Sequence, residues 1–178
     1  MSAITLDQLI RIAPNCKNRA STFIDPLNAT MEEFQINTRF RQAAFLGQVL
    51  HESGDLVYVR ELASGEAYEG RADLGNNVAG DGKLYKGRGL IQITGRANYT
   101  ALMLALDIDC LSNPAVLEQP INACRSAGWF WDTHGLNHLA DMGTTAAMTA
   151  ITRRVNGGLT GLANRLGYYT TALHVLPI

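Results

Sequence analysis

Residues 38–54 read TRFRQAAFLGQVLHESG and predict the central helix of the fold. The apolar side chains of this stretch are Phe40, Ala43, Ala44, Phe45, Leu46, Val49 and Leu50. They recur at intervals of three and four residues, which is the spacing of one buried helix face. Ser53 and Gly54 mark the expected end of the helix, because both residue types favour helix termini. Glu52 is therefore expected at the C-terminal end of a buried and largely apolar helix.

Signals on both sides of this stretch predict further helices. Thr5 and Gln8 have the form of a capping box that opens a short helix, which Pro14 ends. Thr30 and Glu33 have the same form and predict a second helix start. The later signals are helical patterns over residues 95–106, 120–131, 144–155 and 162–173, an N-cap at Asn113-Pro114, and a helix stop at Asn156-Gly157-Gly158. The chain is predicted to be mainly α-helical.

Residues 54–89 are rich in glycine and form the one long segment without helical periodicity. An irregular segment of about 35 residues is uncommon inside a compact domain and is usually functional. Residues 57–62 favour a short strand, and residues 90–93 alternate apolar with polar side chains. We therefore expect a small β-hairpin at the rim of a cleft.

Composition excludes several classes of protein. The chain has 178 residues, of which 47% are hydrophobic and 17% charged, and this is sufficient for one domain over residues 1–178. The formal net charge of −1, without a basic arm, argues against a nucleic-acid partner. Neither a signal peptide nor an apolar run of membrane-spanning length is seen, so synthesis in the cytoplasm and no membrane insertion are expected. Cys16, Cys110 and Cys124 are expected to be buried thiols, with a Cys110–Cys124 disulfide as the alternative.

Acidic residues at and after the helix end suggest acid–base chemistry. Burial would raise the pKa of the Glu52 carboxyl, which suits a general acid. Glycoside hydrolysis needs a second carboxylate, and about 6.5–9.5 Å between the two carboxyls leads to inversion of configuration. Spacing alone does not choose among the candidates in the following loop, which are Asp55, Glu61, Glu66 and Glu69.

Histidine spacing does not indicate a metal site. The pair His51-Glu52 lacks the second histidine of a zinc-protease motif, since position 55 is aspartate. His134 and His138 are four residues apart, but no third ligand lies near them in the sequence. No metal and no cofactor are therefore expected.

Four motifs together resemble glycoside hydrolase family 19. Residues 44–54 (AFLGQVLHESG) resemble the helix that ends in the family's His-Glu-Ser/Thr signature. Residues 85–99 (YKGRGLIQITGRANY) are similar to its Gly-Arg-Gly-x-Ile-Gln segment, and residues 151–158 (ITRRVNGG) to its Ile-Thr-x-x-Ile-Asn-Gly-Gly segment. Arg165 matches the closing arginine of the pattern. The resemblance implies a lysozyme-like, α-rich, two-lobed domain, and the short chain is similar to the bacteriophage-type endolysins of the family.

The resemblance also implies roles for individual residues. Glu52 would be the general acid and Glu61 the general base, and Thr94 would help to hold the attacking water. Arg165 would lie near the catalytic carboxylates. The remaining positions that the resemblance assigns to the substrate cleft are His51, Gln92, Asn98, Tyr99 and Asn156.

The function implied is hydrolysis of β-1,4 bonds in bacterial peptidoglycan by a monomeric muramidase that reaches the cell wall after release or delivery by another protein. One departure from the family bears on this, because the loop between Glu61 and Gly87 lacks the cysteine-containing insertion of plant chitinases. The alternatives are a chitinase, a lytic transglycosylase and a non-catalytic glycan-binding module.

Overall fold

A computed structural model describes residues 3–177 of the chain. Its α-helices are α1 (Leu6–Ile12), α2 (Lys17–Glu33), α3 (Arg39–Glu52), α4 (Asp81–Leu84), α5 (Arg96–Leu106), α6 (Pro120–Thr133), α7 (Leu136–Ala140), α8 (Thr145–Asn156) and α9 (Leu162–Val175). Short 3-10 helices cover Pro14–Cys16, Glu66–Tyr68, Ala72–Leu74 and Pro114–Glu118. The prediction of a mainly α fold is confirmed.

Threonine caps begin three of these helices where the sequence predicts them. Thr5 and the side chain of Gln8 exchange hydrogen bonds with each other's backbone N–H groups, which completes the capping box of α1. Thr38 accepts a hydrogen bond from the Arg41 amide at the start of α3, and Thr144 caps α8 in the same way. These side chains satisfy backbone donors that have no partner inside the helix.

The predicted helix start at Thr30 is wrong. Thr30 lies three residues before the end of α2 and is fully buried. The helix begins at Lys17 and continues through Pro26, so the Thr30–Glu33 pattern falls inside its last turn. The methyl group of Thr30 instead packs close to Gly128 of α6, which explains a small β-branched residue at this position.

Helix α3 is the centre of the main hydrophobic cluster, to which α1, α2, α6, α7, α8 and α9 also contribute. Gly47 permits its close approach to α9, because a Cβ atom there would lie 3.0 Å from the Arg165 carbonyl oxygen. The buried segment predicted from the apolar spacing is confirmed for residues 42–50, which are all buried, but Phe40 was wrongly included because it is 38% exposed.

A second, smaller cluster makes the molecule two-lobed. It joins α5 to the segments around it, with Tyr85, Ile93, Tyr99 and Leu102 among its buried members. Phe130 of α6 packs against both clusters and links the two lobes. The chain thus has the lysozyme-like α-rich architecture that the sequence predicted.

The β-hairpin is reduced to isolated bridges in the described residues. Arg60 pairs with Arg88, and Arg88 pairs with Ile93. Gly89 and Gln92 have positive φ angles of 82° and 52°, which turn the chain back on itself. Residues 90–93 therefore close a tight loop onto Arg88 instead of forming a strand beside residues 57–62.

Two further predictions concern the cysteines and the membrane. Cys16, Cys110 and Cys124 are buried free thiols, as the first interpretation predicted, and not a disulfide. Between residues 3 and 177, no helix has both the length and the apolar character needed to cross a membrane.

Candidate active site

Glu52 is the last residue of α3, and its carboxylate is held by a buried arginine from α9. Arg165 Nη2 donates a hydrogen bond to Glu52 Oε1, and the Arg165 side chain is only 1% exposed, against 20% for Glu52. Arg165 Nη1 donates to Gln48 Oε1 at 2.6 Å, and Gln48 Nε2 donates to Thr152 Oγ1 at 3.0 Å. The setting of Glu52 is thus less apolar than the sequence suggested. This network fixes the guanidinium and leaves one side of the carboxylate open to solvent.

His51 neighbours the acid and also contacts α9. Its Nδ1 atom lies 2.7 Å from Asn164 Oδ1. Its ring packs directly on Gly161, where a Cβ atom would be 2.2 Å from the imidazole. Asn156 is exposed at the end of α8. His51 and Asn156 both retain accessible surface.

Glu61 lies in the glycine-rich segment of residues 54–89. Its Oε1 atom accepts a hydrogen bond from the Tyr68 hydroxyl at 3.0 Å, and Oε2 accepts from the Gly87 amide at 3.2 Å. The Glu61 amide donates to the Gly87 carbonyl at 2.9 Å, which ties this residue to the Gly-Arg-Gly loop. Burial and the bond to Glu61 together raise the pKa of Tyr68, so the phenol stays a proton donor.

Gln92 adjoins Glu61 across Gly87. A Cβ atom on Gly87 would lie 2.8 Å from Gln92 Oε1 and 3.2 Å from Glu61 Oε2, so only glycine leaves room for both. Gln92 Nε2 donates to the Gly89 carbonyl at 2.9 Å. Within residues 3–177, the buried Oε1 atom has no hydrogen-bond partner. An unpaired buried acceptor is unfavourable, and this Oε1 atom has almost no accessible surface of its own.

Thr94 and Asn98 continue from Gln92 along the same segment. Thr94 Oγ1 donates to the Gln92 carbonyl at 2.9 Å, and Asn98 Nδ2 donates to the Thr94 carbonyl at 2.7 Å. Asn98 is exposed and Thr94 is half-buried. These contacts place the two residues beside Gln92, and their roles towards water and substrate stay predictions.

The other two glutamates of the loop have different partners. Glu66 forms an exposed ion pair with Lys83 at 2.8 Å. Glu69 accepts hydrogen bonds from the backbone amides of Gly80 and Gly82 at 2.6 and 2.9 Å. Glu61 is therefore the glutamate of the three that contacts Gly87 and adjoins Gln92, which spacing alone did not reveal.

The assignment of Tyr99 to the substrate cleft is wrong. Tyr99 is fully buried in the smaller cluster, where its hydroxyl donates to the Lys86 carbonyl at 2.7 Å and accepts from Arg88 at 3.1 Å. Burial raises its pKa to about 12. Tyr99 directly follows the exposed Asn98 and turns inward with α5. Its two hydrogen bonds support the Gly-Arg-Gly loop from the buried side.

A left-handed turn follows the acid. Gly54, Asp55 and Leu56 have successive φ angles of 56°, 60° and 66°. Such a conformation costs about 1–2 kcal/mol for each residue with a side chain. Leu56 is 1% exposed, and its amide donates to Ser53 Oγ at 2.9 Å. Core packing and hydrogen bonding therefore maintain the turn that directs the chain from Glu52 towards Glu61.

Comparison with known proteins identifies the family of the chain. The family model described as chitinase class I, of glycoside hydrolase family 19, matches residues 26–140. A glycosyl hydrolase family 19 domain-containing protein of Haemophilus influenzae is 29% identical, with 80% of this chain and 84% of that protein covered. An Arabidopsis thaliana endochitinase is 30% identical over 85% of this chain and 56% of its own length.

The chain belongs to glycoside hydrolase family 19. A solved bacterial family 19 chitinase superposes with a TM-score of 0.78 at 25% identity, covering 99% of this chain and 96% of that one. The chain spans about half the length of the plant endochitinases it matches. Glu52, Glu61, Gln92, Thr94 and Asn98 fall inside the matched range of this family of glycoside hydrolases, whereas Asn156 and Arg165 lie beyond it.

An open cavity in this family 19 domain is lined by neither Glu52 nor Glu61. It measures about 530 Å³ and is lined by Asn28, Glu32, Ile36 and Gln42, among others. Gln42 and Glu52 are ten positions apart on α3, which is about 15 Å along a helix. We place the site at the carboxylates because chemistry, and not cavity size, identifies it.

Sequence reasoning missed several residues that hold the site. Gln48 precedes Glu52 by four positions and shares its helix face, so a polar residue in that apolar run was a usable signal. Tyr68, Thr152 and Asn164 gave no comparable signal, because only the fold brings them to the carboxylates and His51.

Proposed function

We propose that this glycoside hydrolase cleaves β-1,4 bonds of bacterial peptidoglycan as a muramidase, with inversion at the anomeric carbon. Glu52 donates its proton to the glycosidic oxygen as the bond breaks. Glu61 removes a proton from a water that attacks the opposite face of the sugar, and the Thr94 hydroxyl helps to hold that water. Two carboxyls and water suffice for this reaction, so it needs no cofactor.

The observation that carries this proposal is the fixation of two partly exposed glutamates on separate elements, of which Glu61 adjoins the Gln92 amide. Arg165 holds Glu52 from α9, while Tyr68 and Gly87 hold Glu61 on the other segment. The partly exposed Gln92 side chain carries an amide, a group that can both donate to and accept from sugar hydroxyls and N-acetyl groups.

The choice of peptidoglycan rests on the loop between Glu61 and Gly87, which lacks the insertion of plant chitinases. A shorter loop offers fewer contacts along an extended polymer. Chitin is the second candidate, because several relatives are named endochitinases. The two polymers share the same β-1,4 linkage and differ in the lactyl-peptide branch of peptidoglycan.

Turnover of purified peptidoglycan and colloidal chitin tests the proposal. Wild-type protein should release reducing ends from peptidoglycan faster than from chitin. Glu52→Gln should reduce turnover by about 10²- to 10⁴-fold, the usual contribution of a general acid, and should retain glycan binding. Undiminished lysis by Glu52→Gln would overturn the catalytic assignment, and preference for chitin would favour the second candidate.

Product chemistry separates hydrolysis from lytic transglycosylation. A transglycosylase needs a single carboxyl and leaves an anhydro-sugar, whereas the proposed reaction adds water. Mass spectrometry of the fragments distinguishes these products by the mass of one water. We further propose that the protein acts as a monomer and is synthesised in the cytoplasm. It would reach the periplasmic wall after release through a membrane pore or delivery by another protein.

A further inference from the structure

Helix α9 contacts the catalytic segment at three matched positions. Asn164 faces His51, Arg165 faces Glu52, and the Tyr168 hydroxyl donates to Asp55 Oδ1 at 2.7 Å. The contacting residues on α9 have the same spacing as their partners at the end of α3. Residues separated by four positions on a helix share one face, so a single face of α9 serves all three contacts.

Asp55 has a second anchor and an unusual backbone. Asn15 Nδ2 donates to Asp55 Oδ2 at 3.2 Å, so both carboxylate oxygens are engaged by different elements. Asp55 is the middle residue of the left-handed turn, and aspartate tolerates that conformation better than most residues. The Tyr168 pKa is raised to about 12, first by burial and then by the bond to Asp55, so the hydroxyl remains a donor.

From these contacts we infer that Asp55 and Tyr168 are positioning residues that set the direction of the chain leaving Glu52. They thereby set the placement of Glu61 relative to the acid. The inference rests on the proposed function only for its kinetic consequence. Glu61 follows Asp55 by six residues and is held to the Gly-Arg-Gly loop by its own hydrogen bonds, so a rotation at Asp55 changes how Glu52 is placed relative to the base. Neither residue is assigned a contact with the substrate.

Three variants distinguish positioning from a purely local backbone role. Tyr168→Phe and Asp55→Asn remove or weaken the hydrogen bond between Tyr168 and Asp55. Both should lower kcat about tenfold with little change in KM, since small misplacements of catalytic groups are costly. Asp55→Gly keeps the left-handed turn without strain but loses the carboxylate. Positioning predicts that Asp55→Gly is as impaired as Asp55→Asn. A backbone role predicts wild-type or higher kcat, which would overturn the inference.

Tyr169→Phe is the matched control. Tyr169 is the neighbouring buried tyrosine on α9, and its hydroxyl makes no hydrogen bond within residues 3–177. It should keep wild-type kcat. The double variant Asp55→Asn/Tyr168→Phe should be no worse than the more impaired single variant, because both act through one contact. Losses that multiply in the double variant would contradict a shared role.

Hydrogen exchange gives a readout that does not depend on activity. Amides of residues 53–61 should exchange about tenfold faster in Tyr168→Phe than in Tyr169→Phe, because the hydrogen bond from Tyr168 to Asp55 restrains that turn. Unchanged exchange would overturn the inference even if the wild-type protein cleaves neither polymer. Failure of the proposed function and failure of the positioning role of Asp55 and Tyr168 are thus seen separately.

Discussion

Glu52 ends a helix whose last carbonyl groups disfavour a negative charge, and the buried guanidinium of Arg165 offsets that effect. The arginine is itself oriented by Gln48, which is oriented by Thr152. Arg165 also donates to the Thr160 carbonyl at 3.3 Å, so its planar group has partners on several sides. The position of the acid is therefore set by a network that reaches from α3 to α8 and α9.

Replacing Arg165 should destabilise the protein through this network. Arg165→Met leaves Gln48 Oε1 and one side of Glu52 without donors, at an expected cost of about 2–4 kcal/mol in the free energy of unfolding. Arg153→Met on the exposed side of α8 should change it by less than about 0.5 kcal/mol. Urea denaturation of both variants measures the difference, and equal stabilities would show that the buried network contributes little.

The sequence singled out Glu52 because it ends an apolar helix and matches the His-Glu-Ser/Thr signature, and its role as the acid is a proposal that Glu52→Gln tests. Tyr99 was misassigned because its neighbours in the motif are exposed, and the inward turn of α5 is set by packing in the smaller lobe. Asp55 could be identified only as one of four candidate carboxylates in the loop, since its partners Asn15 and Tyr168 are 40 and 113 positions away.

Two helix pairs decide how the elements pack. Helix α3 packs along α9 at Gly47, and α2 packs against α6 at Gly128. A Cβ atom at Gly128 would lie 2.3 Å from the Phe34 ring and 2.6 Å from the Thr30 methyl group. Both contacts require glycine for space and not for an unusual backbone conformation.

Alanine at the two helical glycines Gly128 and Gly167 should have opposite effects. Gly128→Ala forces Phe34 and Thr30 apart and should cost about 1–3 kcal/mol. Gly167 lies within α9 and has open space around its Cα, so Gly167→Ala should add about 0.5–1 kcal/mol through helix propensity. Thermal melts of both variants test this, and stabilisation of Gly128→Ala would contradict the close approach of α2 and α6.

Most helices could be predicted from caps and apolar periodicity, because both are local properties. The absence of a regular hairpin between residues 57–62 and 90–93 could not be predicted, since it depends on positive φ angles at Gly89 and Gln92. The error at Thr30 has a similar cause. A capping box is a four-residue pattern, and the packing of α2 on α6 extended the helix through it.

At the scale of the whole molecule, two lobes meet at Phe130, and the smaller lobe contains an ion pair between a buried aspartate and a half-buried arginine. Asp81 accepts two hydrogen bonds from Arg96, and its carboxylate is 1% exposed. Arg96 also lies over the Tyr85 ring, 4.7 Å from its centre, and its amide donates to Asn76. The bond to Arg96 is the main cause of a lowered Asp81 pKa.

Acid should therefore weaken the folded state through Asp81. Because its pKa is lower in the folded state, the ion pair contributes its full stability above about pH 4 and loses it as the pH falls towards the folded pKa. Asp81→Asn should be less stable than wild type at neutral pH and should lose less stability on acidification. Urea titrations near neutral pH and at about pH 3 measure this. An unchanged acid response in Asp81→Asn would exclude this carboxylate as a source.

The stereochemistry of the first product tests the two-glutamate mechanism most directly. Proton NMR during the first minutes of cleavage, before mutarotation, reports the anomer at the new reducing end. A water activated by Glu61 opposite Glu52 predicts the α-anomer from a β-1,4 bond. Initial release of the β-anomer, or of an anhydro-sugar, would contradict the account.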